Sequence, residues 1–430
     1  MGTVDISTDI GGVKMRSPIG IGSFGLCMNP WYPDTPIEHV RDKLYQRWLD
    51  SGVGYIKTGS LVPGRKKDFP TVKYSPWARV NPKVEGFFNS TSYHITGKSE
   101  DSMRIFDLLR DMTSRCDDVP LIASIVAVST DVEPWIRTAK LIEDRGADMI
   151  EINGGAPCDS ALLQETLSEK RPSFWKTNIA CEPDLLRPIV EGVVKAVKIP
   201  VGVKLTADAG YPGILAVLQA CQEGGATFVD MFHATTAIAP PDINNGGKGP
   251  YLMTDGLNPI GMMLGEWNSY QCFKGAALTS LHFPGLEIFS GGGITKSSQV
   301  IQAIMFGARA VEITSGIMFH SHALIRKSIA FLKDYMQKYG YKKLNDFRSI
   351  GIQYVTTGEE TFEKTRHLHL KYKAETDIEK CSGCGICADN LCPASYMEDS
   401  MGKVDPDKCN GCGMCVLVCP TEARKLVFQG

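Results

Sequence analysis

The chain has 430 residues, 43% hydrophobic and 22% charged, a globular composition long enough for one large domain plus a smaller one and too apolar for disorder. Its 46 basic residues against 48 acidic ones give a net charge of −2, which leaves no basic footprint for a nucleic acid. No run of 18 apolar residues occurs and the opening MGTVDISTDIGG is no signal sequence, so a cytoplasmic protein is expected, where crowded cysteines bind metal more often than they form disulfides.

Residues 1–320 alternate short apolar runs with amphipathic stretches. In chain order the predicted strands are Pro18–Gly22, Tyr55–Thr58, Leu121–Ala127, Asp148–Ile152, Val201–Leu205, Phe228–Phe232, Glu287–Ser290 and Ala310–Ile313. Helices are predicted between them, among others over Ile37–Asp50, Asp101–Ser114, Glu133–Asp144, Asp184–Val197 and Ser297–Phe306, with Ala323–Lys338 closing the series. Asp101 and Ser102 supply a helix start, and Gly146, Gly224 and Gly307 supply helix ends. Eight such units predict an α/β fold, a TIM (β/α)8 barrel. The alternative, a doubly wound sheet, wants a dinucleotide loop after its first strand. Gly20-Ile-Gly22-Ser-Phe-Gly25 spells that motif, but Asn29-Pro30 and Tyr32-Pro33 break the helix that must follow it.

Chemistry in such a barrel sits at the C-terminal strand ends. Those ends read Gly22-Ser23, Lys57-Thr58, Asn153, Lys204, His233, Gly291-Gly292-Gly293 and Thr314-Ser315. The last two sets suit a phosphate, a tight turn being the alternative for the three glycines, and a phosphate site in one chain with eight cysteines between Cys381 and Cys419 at the spacing of 4Fe–4S ligands points to FMN. Lys204 lies within an apolar strand and needs an anionic partner, either a reduced flavin or a structural ion pair. Arg65, Lys66, Lys67, Lys73 and Arg79 follow the second strand and form either a solvated basic loop or a grip on an anionic substrate. The stretch Pro240–Pro250 reads as a long loop of the kind that acts as a lid.

Residues 321–375 are read as a terminal helix and connecting segment, and residues 376–430 as a ferredoxin-like domain of small α+β form. Eight of the 14 cysteines fall there, as Cys381-x-x-Cys384-x-x-Cys387 with Cys392-Pro393, then Cys409-x-x-Cys412-x-x-Cys415 with Cys419-Pro420. Three thiolates at this spacing wrap one cluster and the fourth comes from the other repeat. Cys381, Cys384, Cys387 and Cys419 are therefore assigned to one 4Fe–4S cluster, and Cys409, Cys412, Cys415 and Cys392 to a second. Two zinc sites or a disulfide knot are the alternatives. Eight acidic against five basic side chains give this region an acidic surface that would steer a basic electron-transfer partner. Cys27, Cys116, Cys181, Cys221 and Cys272 receive no role.

Together these motifs resemble the dihydroorotate dehydrogenase-like flavin barrels, and most closely the FMN and iron–sulfur parts of dihydropyrimidine dehydrogenase, along nearly the whole chain. Ser17-Pro18-Ile-Gly20-Ile-Gly22-Ser23, Ile56-Lys57-Thr58, Phe88-Asn89, Glu151-Ile-Asn153, Val203-Lys204-Leu-Thr206, Ser290-Gly-Gly-Gly-Ile294 and Glu312-Ile-Thr-Ser315 carry the resemblance. It implies a TIM barrel holding FMN, with redox chemistry at a carbon–carbon double bond. By it, Gly22, Ser23, Lys57, Thr58, Asn89, Asn153, Lys204, Gly291, Gly292, Gly293, Thr314 and Ser315 contact the cofactor, and Lys204 stabilises its reduced form.

The chain departs from that family at the substrate. The family's Asn-x-Ser-Cys-Pro-His loop reads Asn153-Gly-Gly-Ala156-Pro157-Cys158 here, so Ala156 stands in the place of the proton-donating cysteine. His233-Ala234 replaces the pair that binds the pyrimidine edge. Cys158 and His233 are the candidate catalytic acids, with His94 able to reach the same face. Three functional readings stand open: dihydropyrimidine dehydrogenase-like chemistry, reduction of a different unsaturated ring or acyl compound, and an electron-transfer subunit without a substrate site. No second nucleotide domain is visible, so a partner flavoprotein subunit or a ferredoxin would supply the electrons, within a homo- or hetero-oligomer and without a nucleic-acid or membrane partner.

Overall fold

Eight parallel strands frame the larger part of the protein: β1 (Ile19–Gly20), β2 (Ile56–Lys57), β3 (Leu121–Ile125), β4 (Met149–Asn153), β5 (Val201–Thr206), β6 (Phe228–His233), β7 (Glu287–Ser290) and β8 (Ala310–Glu312). In the computed structural model, residues 4–23, 37–61, 77–81, 84–90, 99–127, 131–154, 179–250, 255–256, 260–368, 370–389 and 392–430 are described. They fall into two compact units, Met1–Gln353 and Tyr354–Gly430. The strands follow one another in sequence order round the sheet. Ile21 N donates to Tyr55 O at 3.2 Å and Lys57 N to Ile21 O at 2.9 Å, joining β1 to β2 and closing the TIM barrel. Every predicted strand is present, because buried parallel strands are continuous apolar runs bounded by glycine or proline.

The predicted helices form outside the barrel, with three adjustments. The first includes a π-helical stretch, Arg41–Tyr45. The second runs Ser99–Thr113, so Asp101 and Ser102 lie inside its first turn rather than before it. Gly146 (φ 86°) and Gly307 (φ 106°) take the left-handed conformation past their helices, but Gly224 stays right-handed and Gly225 (φ 83°) makes that turn, because the helix Gly213–Glu223 caps one residue later than expected.

One element was not foreseen. Trp77–Asn81, Val84–Ser90, Thr235–Ile238 and Ile260–Gly265 form a four-stranded antiparallel sheet, with Val84–Ser90 and Ile260–Gly265 paired at its centre. Pro240–Pro250 is thus part of the connection between two of these strands. It is folded on itself by Asp242 N to Lys248 O (2.8 Å) and Gly247 N to Asp242 O (3.0 Å). Among the described residues no helix is long and apolar enough to cross a membrane.

The floor of the barrel is apolar. Tyr55, Ile122, Met149, Phe228, Phe289 and Ala310 are fully buried there, with Ile10 and Met15 packed on them from the hairpin Thr8–Ile10/Val13–Met15. Large side chains fit because small ones face them. A Cβ on Gly20 would lie 2.5 Å from the Tyr55 ring, and one on Gly202 would lie 2.2 Å from the Phe228 ring. Gly202→Ala is therefore expected to destabilise the unit by about 1–3 kcal/mol through overpacking, read as a lower urea midpoint.

In the second unit, Tyr372–Thr376 pairs with Arg424–Phe428 and Ser395–Glu398 with Met401–Val404, both antiparallel. Short helices, Ile386–Asp389 and Met414–Leu417, carry the third cysteine of each run, Cys387 and Cys415.

Candidate functional site

Above the apolar floor the barrel interior turns ionic. Lys57 Nζ lies 2.6 Å from Glu151 Oε2 and 3.0 Å from Asp230 Oδ2, and also contacts Glu312. Lys204 Nζ lies 2.6 Å from Asp230 Oδ2 and 3.2 Å from Glu312 Oε2. All five residues are buried, so each charge depends on the others for the solvation it has lost. Lys57 also stands 3.9 Å above the centre of the Phe289 ring, which favours its cation. The three carboxylates approach one another as metal ligands do, but the Lys57 ammonium already touches all three.

The protonation states follow from this crowding. Burial pushes the Glu151 carboxyl up to about 7, against the pull of Lys57 and Lys204. Burial also acts on Asp230, but Lys204 and Lys57 outweigh it and hold that carboxyl below the usual range. Burial disfavours the Lys204 cation, yet Asp230 and Glu312 raise it well above the ordinary lysine value. Burial pushes the Tyr55 phenol up as well, helped by Glu312. Of these groups, sequence reasoning singled out the two lysines, quoted Glu151 and Glu312 only as parts of motifs, and passed over Asp230 and Tyr55 as charged or polar partners. The available signal was a charge inside an apolar strand: MIEIN, FVDMFH and AVE.

The strand ends lie next to this layer. Lys204 is registered with Asn153 on one side and Asp230 on the other. Asn153 donates to Ser60 Oγ at 2.7 Å, and its Oδ1 is buried without a partner. Thr58 Oγ1 accepts from Ser124 N at 3.0 Å. Gly22 and Gly291 both crowd Glu312: a Cβ on either would come within 2.8 Å of Glu312 Oε2, and one on Gly22 would also lie 2.7 Å from Thr314 Oγ1. Gly292 and Gly293 take left-handed conformations (φ 82° and 84°). The segments after β7 and β8 touch, since a Cβ on Gly316 would lie 2.3 Å from Ile294 O. Ser290 Oγ and Thr295 Oγ1 are buried with no partner. Cys272, given no role from sequence, pins this turn: its Sγ accepts from Phe232 N (3.2 Å) and donates to Gly292 O (3.4 Å).

Gly22, Asn153, Lys204, Gly291, Gly292, Gly293, Thr314 and the buried Ser315 are thus gathered at one end of the barrel. Ser23 lies just past β1. Asn89 lies opposite Met262 in the antiparallel sheet, and His233 ends β6 opposite Thr206. Arg79 lies on Trp77–Asn81. Cys158 with its loop, His94, Arg65, Lys66, Lys67 and Lys73 lie outside the described residues.

In the second unit one cavity is lined by Cys381, Cys384, Cys387 and Cys419. Backbone amides of Gly402 and Gly383 hold the Cys381 thiol below its ordinary value. Ala423 N donates to Cys419 Sγ at 3.2 Å, and Ala374 N to Cys409 Sγ at 3.4 Å. Burial pushes the Cys415 thiol up, and Cys392 and Cys409 act on it as neighbours. Gly383, Gly385, Gly411 and Gly413 all take positive φ, between 68° and 80°, which turns the backbone around each cysteine run. Thiols set in a nest of amide donors are the ligation expected for iron–sulfur clusters.

A closed TIM barrel joined to such a thiol nest defines a redox protein, and comparison with known proteins agrees. Residues 109–238 match the dihydrouridine synthase (Dus) family, and residues 403–425 match the 4Fe-4S binding domain. The chain is an oxidoreductase with a TIM barrel and a 4Fe–4S binding domain. It is similar to the NAD-dependent dihydropyrimidine dehydrogenase subunit PreA of Escherichia coli, with 24% identity over 90% of this chain and 85% of that one. It is also similar to the dihydroorotate dehydrogenase B (NAD(+)) catalytic subunit of Methanocaldococcus jannaschii (26% identity, 78% of this chain and 95% of that one). With dihydroorotate dehydrogenase A (fumarate) of Limosilactobacillus reuteri the identity is 27% (67% of this chain, 84% of that one).

Proposed function

We propose that the chain holds FMN at the strand ends of its barrel and two 4Fe–4S clusters in its second unit, and that it reduces or oxidises a C=C bond of a pyrimidine-like ring. Electrons would be exchanged with a separate partner subunit. The observation that carries this reading is the similarity to PreA, which covers 90% of the chain and therefore more than the barrel alone.

The residues present fit FMN. Asn153 Oδ1 is a buried acceptor in want of a donor, Ser290 and Thr295 offer buried hydroxyls without partners, and Gly292 and Gly293 turn the backbone after β7 in left-handed conformations. FMN, when bound, supplies hydride chemistry at its N5 and accepts electrons singly. Lys204 would place a fixed cation where negative charge develops, and Asp230 and Glu312 hold that ammonium in position. Cys158 or His233 would move the substrate proton, with His94 as a further candidate. Ser23, Lys57, Thr58, Asn89, Thr314 and Ser315 complete the proposed contacts.

The absence of the family cysteine at Ala156, together with His233-Ala234, favours a second reading, in which the ring or acyl substrate is not a pyrimidine. One screen decides among these. The protein is reduced anaerobically, unsaturated compounds are added one at a time beginning with uracil, and the flavin absorbance is followed. Reoxidation by uracil or thymine supports the first reading, and reoxidation only by other compounds supports the second. A barrel purified without flavin leaves the electron-transfer subunit as the function. Activity unchanged in both Cys158→Ala and His233→Ala would remove those residues from the proton step.

A further inference from the structure

We propose that Arg424 sets the two clusters apart, making the one held by Cys381, Cys384, Cys387 and Cys419 the easier to reduce. The inference rests on the two-cluster reading above. Arg424 opens the strand Arg424–Phe428 and is only 3% exposed. Among the described residues no carboxylate pairs with it. Its Nη2 donates to Cys387 Sγ at 3.0 Å, Ser395 Oγ at 3.0 Å and Lys403 O at 3.1 Å, and its Nη1 is buried with no acceptor. A guanidinium is always charged, and a buried charge without a counter-ion is costly. Neutral acceptors do not supply that counter-ion, whereas a cysteine thiolate bound to iron does, as part of an anionic cluster.

The contact is one-sided. Arg424 follows Cys419-Pro420 and the buried Ala423, and its counterpart in the other repeat is Ser395, which follows Cys392-Pro393 and the buried Ala394. The two residues that open these matching strands are thus a cation and a neutral hydroxyl, and they bond to each other. The N–H···S bond of the Arg424 guanidinium is to Cys387, a cysteine of the first set. Hydrogen bonds to sulfur and nearby charge set a cluster's potential. Adding an electron adds negative charge, so a buried cation stabilises the reduced form and raises the potential of the cluster it touches. A Cβ on Gly402 would lie 2.8 Å from Cys387 Sγ and 2.9 Å from Arg424 Nη2, so a glycine there lets the pair meet.

The test is a potentiometric titration of the full chain followed by electron paramagnetic resonance, after iron and sulfide have been counted. A wild-type count short of two clusters would overturn the two-cluster reading, and the inference with it. With both clusters present, Arg424→Gln is expected to move one midpoint to lower potential and the other much less, while Arg424→Lys, which keeps the charge, shifts it less. Two unchanged midpoints, or two equal shifts, at full iron content overturn the inference. Where Arg424→Gln assembles no clusters, the wild-type order decides. The higher-potential signal must be the one altered by Cys384→Ser, and the reverse order overturns the proposal.

Discussion

Lys57→Met is expected to destabilise the barrel unit by roughly 3–5 kcal/mol, the usual cost of removing one member of a buried ionic group. The native interior holds two ammonium groups against three carboxyls, and Lys57 is the one that touches all three. Without it, Lys204 is left to serve Asp230 and Glu312, and Glu151 has no cation within ion-pair distance among the described residues. Methionine fills much of the volume and packs against Phe289, so the loss is electrostatic rather than a cavity. Urea unfolding followed by tryptophan fluorescence reads the effect, since Trp48 and Trp135 are buried in this unit. An unchanged midpoint would mean that the carboxyls shed their charge at no cost, and that the ionic layer contributes little to the barrel.

How much of this was legible depends on whether a feature is local. The eight strands were, because each is a short apolar run ended by glycine, proline or a charge. The antiparallel sheet was not. Its central pair, Val84–Ser90 and Ile260–Gly265, joins segments far apart in the chain, and both contain glycines that weaken any strand pattern. Lys204 illustrates a partial success. The strand pattern showed a buried lysine wanting an anion, and a flavin or an ion pair were the options. The structure shows that Asp230 and Glu312 already stand against it, so a reduced cofactor would join an existing network rather than meet an isolated cation. The cysteine runs were legible because three ligands come from one turn. Arg424 was not, since in sequence it is one of five bases in an acidic tail, and only the fold removes it from that surface.

Glu151→Gln is expected to abolish a pH dependence that the wild-type barrel carries between pH 4.5 and about 7. The Glu151 carboxyl is raised to about 7 in the folded chain from 4.5, first by burial and then by the negative Asp230 and Glu312, with Lys57 and Lys204 opposing. A proton held more tightly in the folded state stabilises it at low pH, and that contribution is lost as pH rises from 4.5 through about 7. Stability should therefore fall by about 3 kcal/mol across that window, since each pH unit within it removes about 1.4 kcal/mol. Asp230 acts with the opposite sign and in another window. Its carboxyl is held below the ordinary value, so its contribution is present above pH 3.8 and is lost in stronger acid. Gln keeps an oxygen for the Lys57 ammonium and an amide to donate towards Asp230, as the protonated carboxyl does, but it has no proton to lose. The variant should thus unfold at nearly the same urea concentration at pH 5 and pH 8, while the wild type weakens. A wild-type midpoint that is flat over the same range would mean that Glu151 is ionised throughout, and that the interior carries a net negative charge beneath Lys204.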